Sequence, residues 1–261
     1  MFDRAEKTIE VLRNFCKMMK AKKMEENSME FDDDRQADAI EKAKERWNIE
    51  YKNYEREQIK RSDWLEIFQR AIENCKTPII DLGCGKGADT LYLVEKGKTV
   101  IPCDYSGSAI ERIQNNFPEI ERAECFDMTK GLPFDTDFTD LIVCGLSLHY
   151  FTEKTTFEIL EEIKRVLKPG GILLFRVNSI HDVNYGAGEG REIEPHLYET
   201  SDGRYKRFFD KGDIDKFFSG WEELYVHEER TMYEKNIVRV GSVGNSQVEK
   251  VLWRCAMQVR K

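Results

Sequence analysis

Pro78-Ile79-Ile80-Asp81-Leu82-Gly83-Cys84-Gly85-Lys86-Gly87 is an apolar run that ends in an acid and then in glycines at every second position. The apolar part reads as a buried strand. Alternating glycines allow a turn tight enough for backbone to touch a ligand, because a residue without a Cβ adopts left-handed conformations without steric penalty. A helix expected from Ala88 directs its unpaired N–H groups and positive dipole end at the same crevice. The stretch therefore marks a nucleotide-type cofactor site at the carboxyl end of a parallel strand.

Gly83, Gly85 and Ala88 also satisfy the dinucleotide pattern G-x-G-x-x-A, and Asp104 stands about 20 residues further on, where that pattern expects an acid. Three additions shift the reading. Asp81 precedes the first glycine by two positions, Gly87 extends the alternation, and Asp127 follows an expected third strand. Carboxylates at this turn repel a pyrophosphate but attract a ligand carrying a sulfonium and an ammonium group, so the charge pattern favours S-adenosylmethionine.

From about Trp47 to the C-terminus, and most sharply between Asp81 and Gly171, the chain resembles the class I S-adenosylmethionine-dependent methyltransferases. Asp81 to Gly87 looks like that family's glycine loop. The resemblance implies that Gly83, Cys84 and Gly85 lie under the methionine part of the cofactor, with Asp81 close to its amino group. It also implies that Asp104 binds the ribose hydroxyls, that Tyr105 packs on the adenine, and that Asp127 and Met128 read the adenine edge. Cys144, at the end of the fourth strand, faces the same crevice. Leu167-Lys168-Pro169-Gly170-Gly171 resembles the family's helix stop before the fifth strand.

Strands and helices alternate along the middle of the chain. Helices are expected at Ala88 to Lys96, Ser108 to Asn116 and Glu153 to Leu167. Strands are expected at Thr99 to Cys103, Ala123 to Phe126, Thr139 to Cys144 and Ile172 to Val177. This pitch implies an α/β, Rossmann-like, mostly parallel seven-stranded sheet with helices on both faces. Two further strands, Glu222 to Glu228 and Val251 to Val259 about a turn at Gly241 to Asn245, form an antiparallel closing hairpin. Asp63-Trp64-Leu65-Glu66 reads as an N-terminal cap for a helix through Cys75.

The organisation expected is an N-terminal helical extension and acidic linker over residues 1–46, followed by a methyltransferase domain over 47–261. Within the extension, Ala5, Ile9, Leu12, Cys16 and Met19 make one apolar stripe of a helix from Arg4 to Met24. That stripe packs on the domain or on a second copy of the chain, as in a homodimer. Glu25 to Asp34 is a solvated charge run. A second helix begins near Gln36, with Trp47, Tyr51 and Tyr54 at helical spacing, and the resemblance implies that this segment, through Tyr51, closes over the cofactor.

A length of 261 residues with 40% hydrophobic content supports one α/β domain with an appendage. The net charge of −8 argues against a nucleic-acid backbone as partner, and the absence of a signal peptide or spanning apolar run points to a cytoplasmic protein without a membrane role. None of the seven cysteines forms a C-x-x-C pair, so neither a metal site nor a disulfide framework is expected.

The acceptor side is expected after the fourth and fifth strands. His149 can orient or deprotonate an acceptor, with Tyr150 beside it, while Tyr205 and Arg207 belong to a long loop from Asn178 to Asp210 suited to a small anionic molecule. Phe208 to Ile214 followed by Phe217 to Glu222 is similar to the tellurite-resistance methyltransferases, which implies a chalcogen-type or related small-molecule acceptor. Two alternatives stay open: an NAD-dependent oxidoreductase on a related sheet, and a non-catalytic cofactor-binding scaffold.

Overall fold

The computed structural model describes residues 35–52, 59–239 and 242–261. The expected helix Arg4 to Met24 with its dimer seam, the acidic linker, and Tyr54 lie outside the described residues. Strands β1 (Ile79–Leu82) and β2 (Val100–Asp104) are buried at every position, as continuous apolar runs require when a parallel sheet is covered on both faces. With β3 (Glu124–Cys125), β4 (Thr139–Gly145), β5 (Leu167–Asn178), β9 (Glu222–Arg239) and β10 (Ser242–Gln258) they form one seven-stranded sheet in the order β3-β2-β1-β4-β5-β10-β9. The first five strands run parallel, and β10 is antiparallel to both β5 and β9. The order reverses between β1 and β4, and the crevice beyond their carboxyl ends is where such sheets bind ligands.

The helices take their places from amphipathic spacing and caps. In α5 (Glu153–Val166), Thr155, Thr156, Ile159, Leu160, Ile163 and Val166 are buried along one face, and the Thr152 side chain accepts from the Thr155 N–H. Lys164 and Arg165 in the last turn complement the helix dipole. The Ser106 hydroxyl caps α4 (Gly107–Asn116) by accepting from the Ala109 N–H at 3.2 Å. One apolar layer joins Ile80, Leu82, Phe175 and Ile163, and a second on the opposite face joins Trp64, Ile72, Tyr92 and Leu174.

Several boundaries differ from the sequence reading for identifiable reasons. Asp63 makes no side-chain cap; its carboxylate pairs with Arg61 at 3.2 Å, and the segment opens as a tight 3-10 turn at Trp64–Phe68 before α2 (Gln69–Asn74). The closing hairpin is longer than expected, with Ser242 already paired to Arg239, so most of the expected turn is strand. Residues 178–210, expected as a loop, contain a three-stranded antiparallel sheet of β6 (Arg191–Glu194), β7 (Leu197–Glu199) and β8 (Tyr205–Arg207). A further helix, α1, spans 35–52 and runs unbroken past residue 46. Short α3 (Ala88–Glu95) follows the glycine turn, and α6 (Lys211–Phe217) follows β8. Among the described residues no helix is long and apolar enough to cross a membrane.

Candidate active site

A cavity of about 890 Å³ lies over the carboxyl ends of β1, β2, β4 and β5. Its floor is the glycine turn. Gly83, Gly85 and Gly87 have φ of +79°, +48° and +83°, a region costly for residues with a Cβ. Space makes the same demand, because a Cβ on Gly83 would stand 2.0 Å from the Ser147 Oγ and one on Gly85 2.8 Å from the Tyr51 hydroxyl. Leu146, where β4 turns into the cavity wall, also holds a left-handed φ of 63°, a strained value for a residue with a side chain.

Asp104 ends β2 with its carboxylate held from behind. One oxygen accepts from the Gly85 N–H and the other from the Ser106 N–H, each at 2.9 Å. The remaining lone pairs are available to a diol. Burial raises its pKa to about 6, against the lowering effect of these backbone donors. Tyr105, Asp127 and Met128 line the same end of the cavity. The Asp127 carboxylate also accepts from the Thr129 N–H and hydroxyl, which fixes the turn that presents it.

Asp81 is placed differently. It is fully buried behind the turn, is not a lining residue, and accepts from the Thr90 hydroxyl at 2.5 Å. Burial and then the nearby Asp89 push its pKa upward, so it carries less negative charge than its position in the sequence suggests. Asp89, which sequence reasoning passed over, does line the cavity. The Trp64 indole donates to it at 2.8 Å and Arg176 stands 4.0 Å away, itself stacked over the Trp64 ring. Cys84 lines the cavity and Cys144 is buried beside it; burial raises both thiols, which suits packing rather than nucleophilic use.

Helix α1 roofs the cavity above the glycine turn. Trp47 and Tyr51 stack with centroids 5.6 Å apart, as residues one turn apart on a helix can, and Trp47 meets Tyr150 edge-on. The helix is fastened at both ends: Gln36 donates to Thr155 at 2.5 Å and accepts from the Thr152 N–H, while Asn48 accepts from the Ser106 hydroxyl at 2.6 Å. Asp202, in the β7–β8 turn, bonds both Arg46 of α1 and Arg204. The small sheet is thus tied to the roof.

His149, Tyr150, Asn178, Tyr185, Tyr205, Lys206 and Lys250 complete the lining. His149 is buried and its Nδ1 has no hydrogen-bond partner among the described residues. Burial first, then Lys206, Lys250 and Arg204, hold its pKa well below the usual imidazole range, so it is neutral and a weaker proton acceptor than a free imidazole. Tyr205 reaches the cavity but Arg207 does not. The Arg207 guanidinium is buried, donating to the Phe151 and Pro195 carbonyls and pairing with Glu194, where it clamps β8 to the neighbouring turn. Asn178 and Lys250 escaped the sequence reading. Asn178 sits one residue beyond the expected strand, and nothing local links Lys250 to a crevice built from distant strands.

His196, Asp210 and Asp213 bring ligand-type atoms within 4.8 Å of one another. Their roles are already structural, since Asp210 and Asp213 form a reciprocal capping box on α6 and the His196 Nδ1 bonds Asp213 at 2.7 Å.

Residues 80–175 match a family model described as a methyltransferase domain. The chain is 34% identical over 148 residues to the tRNA N(3)-methylcytidine methyltransferase Mettl2 of Drosophila melanogaster, covering 52% of this chain and 45% of that protein. It spans less than half the length of the curated relatives it matches first. A solved S-adenosylmethionine-dependent methyltransferase from Methanosarcina mazei has the same fold at a TM-score of 0.58 and 18% identity, covering 74% of this chain and 97% of that one. TehB from Haemophilus influenzae follows at a TM-score of 0.56 and 16% identity, covering 75% and 61%. At such identities the likeness to solved structures speaks for the fold alone.

Proposed function

We propose that this chain, which carries a class I S-adenosylmethionine-dependent methyltransferase domain, transfers a methyl group to a small-molecule acceptor in the cytoplasm. The observation that carries the reading is the glycine cradle facing Asp104: backbone is bare where Gly83 and Gly85 admit no Cβ, and a carboxylate fixed by two backbone donors faces the same space. Asp104 and Asp127 line the cavity beside the glycine turn, where carboxylates suit a cationic donor better than the pyrophosphate of a nicotinamide dinucleotide; Glu50 and Asp89, which also line it, are offset by Lys86 at 3.7 Å and Arg176 at 4.0 Å. The methyltransferase unit of this reading runs over 47–261, with α1 reaching back across its start.

S-adenosylmethionine supplies an activated methyl group on a sulfonium whose leaving group is neutral. The protein's contribution is then positioning and exclusion of water, which together supply on the order of 7–11 kcal/mol when reacting atoms are aligned. Asp104 holds the ribose, Tyr105 and Met128 flank the adenine, and Asp127 reads its edge. Gly83, Cys84 and Gly85 approach the methionine part, Tyr51 closes over it, and Asp81 and Cys144 support the turn from behind. His149, neutral and unpartnered at Nδ1, takes the acceptor's proton where the nucleophile carries one. Tyr150 and Tyr205 bound the acceptor.

The second reading is a nucleic-acid acceptor, supported by the similarity to the Drosophila tRNA enzyme. The net charge of −8 weighs against it. Labelled methyl transfer to thiols, selenite, tellurite, amines, carboxylates and a tRNA transcript separates the two. Transfer to a small molecule is expected; transfer to the transcript alone would favour the second reading, and tight donor binding without any transfer would favour a scaffold.

A further inference from the structure

Arg176, near the carboxyl end of β5, brings a guanidinium into the cavity lining with only 14% of its side chain exposed. Its Nε is buried and has no hydrogen-bond partner among the described residues. The nearest acid, Asp89, stands 4.0 Å away, beyond hydrogen-bond reach. The Trp64 ring lies 4.8 Å from the guanidinium carbon, a contact that fixes the plane of the group without using its N–H donors. A buried cation in this state costs free energy unless a ligand accepts from it.

Asp89, in the first turn of α3, is the other half of the pair. One of its oxygens accepts from the Trp64 indole at 2.8 Å, and the second accepts from no described residue. Trp64 thus holds both charges, the cation by its ring and the anion by its N–H. Gly145 is the register partner of Arg176 across β4 and β5. A Cβ there would stand 2.3 Å from the Asp89 Oδ2 and 3.5 Å from the Arg176 Nη2, so β4 passes the pair with bare backbone. Strand β4 neighbours β1 and α3 follows the glycine turn, which places the pair beside that turn. The cations of the roof and of the turn itself, Arg46 and Lys86, already face Asp202 and Glu50.

We infer that Arg176 and Asp89 clamp the amino-acid end of the methyl donor, the guanidinium taking its carboxylate and Asp89 its ammonium group. The inference deepens the proposed methyl transfer and rests on it. A carboxylate offers two acceptors to the guanidinium fork, and an ammonium group supplies the donor that the second Asp89 oxygen lacks. One carbon of the donor bears both groups, which suits a cation and an anion held 4.0 Å apart. Asp81, to which the sequence resemblance gives the ammonium group, does not line the cavity, whereas Asp89 does. A nicotinamide dinucleotide carries no such zwitterion. A carboxylate on the acceptor is the other source of the same chemistry, and the place of the pair beside the glycine turn favours the donor.

The test is calorimetric titration of the full chain with S-adenosylhomocysteine, with its decarboxylated analogue, which keeps the ammonium group, and with methylthioadenosine, which lacks both groups. Arg176→Gln should weaken S-adenosylhomocysteine by about tenfold or more, while the decarboxylated analogue and methylthioadenosine bind as they do to the unaltered chain. Asp89→Asn, whose amide oxygen still accepts from Trp64, should weaken S-adenosylhomocysteine and the decarboxylated analogue alike but spare methylthioadenosine. Arg176→Lys keeps the charge without the fork and should fall between Arg176→Gln and the unaltered chain. Methylthioadenosine binding is the check that each variant is folded. Equal weakening of all three ligands in Arg176→Gln and in Arg176→Lys would leave the guanidinium a structural role only and overturn the inference. So would unchanged S-adenosylhomocysteine affinity in Arg176→Gln, including the case in which the KM of an acidic acceptor rises instead. Failure of the methyltransferase reading looks different: none of the three ligands binds the unaltered chain, and the clamp falls with it.

Discussion

Asp104 is the residue to which the proposed function gives donor recognition, and its environment makes that testable by pH. On that proposal the carboxylate form accepts the ribose hydroxyls, and protons compete for the same oxygens. With a pKa raised by burial to about 6, the donor's affinity should be flat above neutrality and fall as the pH drops through 6, by up to about tenfold per unit. Asp104→Asn should flatten this profile and weaken binding by about 1.5–3 kcal/mol at neutral pH. Pairwise calorimetry of the two proteins across pH checks it; parallel profiles would remove Asp104 from the ribose. For His149 the expectation is kinetic. His149→Gln should lower kcat by about 10²-fold or more toward a protonated acceptor while leaving the donor's Kd unchanged. Gly83→Ala brings a Cβ to 2.0 Å from the Ser147 Oγ at a φ of +79°, so a loss of about 1–3 kcal/mol is expected in chemical denaturation. Adding Ser147→Gly should recover part of that loss, because it removes the collision but not the strained backbone.

At the scale of elements, the small sheet β6–β8 and helix α1 turn an open crevice into an enclosed cavity. Arg207 shows how. Its guanidinium ties β8 to the Phe151 and Pro195 carbonyls and to Glu194, so Arg207→Ala leaves buried acceptors and a carboxylate without their donor. A destabilisation of about 2–4 kcal/mol is expected in thermal or urea unfolding, with cofactor affinity affected little. A fully stable variant with a specifically raised acceptor KM would instead make Arg207 a substrate contact. Elements also differ in how readable they are. Strand β1 is legible because Pro78 to Ile80 is apolar and leads through Asp81 and Leu82 into the glycine turn, and α5 because its buried residues recur at helical spacing. The small sheet is not legible: strands of three or four residues, more than half of them charged, owe their form to tertiary packing rather than to local propensity. Asp63 misleads for a similar reason, since Arg61 takes the carboxylate that a cap would need.

Over the whole molecule, the sheet order and the position of the glycine turn follow from alternating strand and helix signals, whereas the acceptor wall draws on β5, β8 and β10 and cannot be seen in any one stretch. Chemistry distributed over distant strands leaves no spacing to read. The residues proposed to hold the donor, concentrated between Gly83 and Met128, are compact in sequence, which is why a motif there can be read. A ligand that binds the folded chain alone should stabilise it as a unit, by about 2.7 kcal/mol at a hundredfold excess over Kd. S-adenosylmethionine should therefore raise Tm by roughly 5–10 °C in a chain of this size, and NAD should not. Isothermal titration of the full chain with S-adenosylmethionine and, in parallel, with NAD reads the same preference without heating. One-to-one binding of the methyl donor, weakened in Asp104→Asn, with no heat from NAD is the expected result; saturable NAD binding with none of the donor would contradict it.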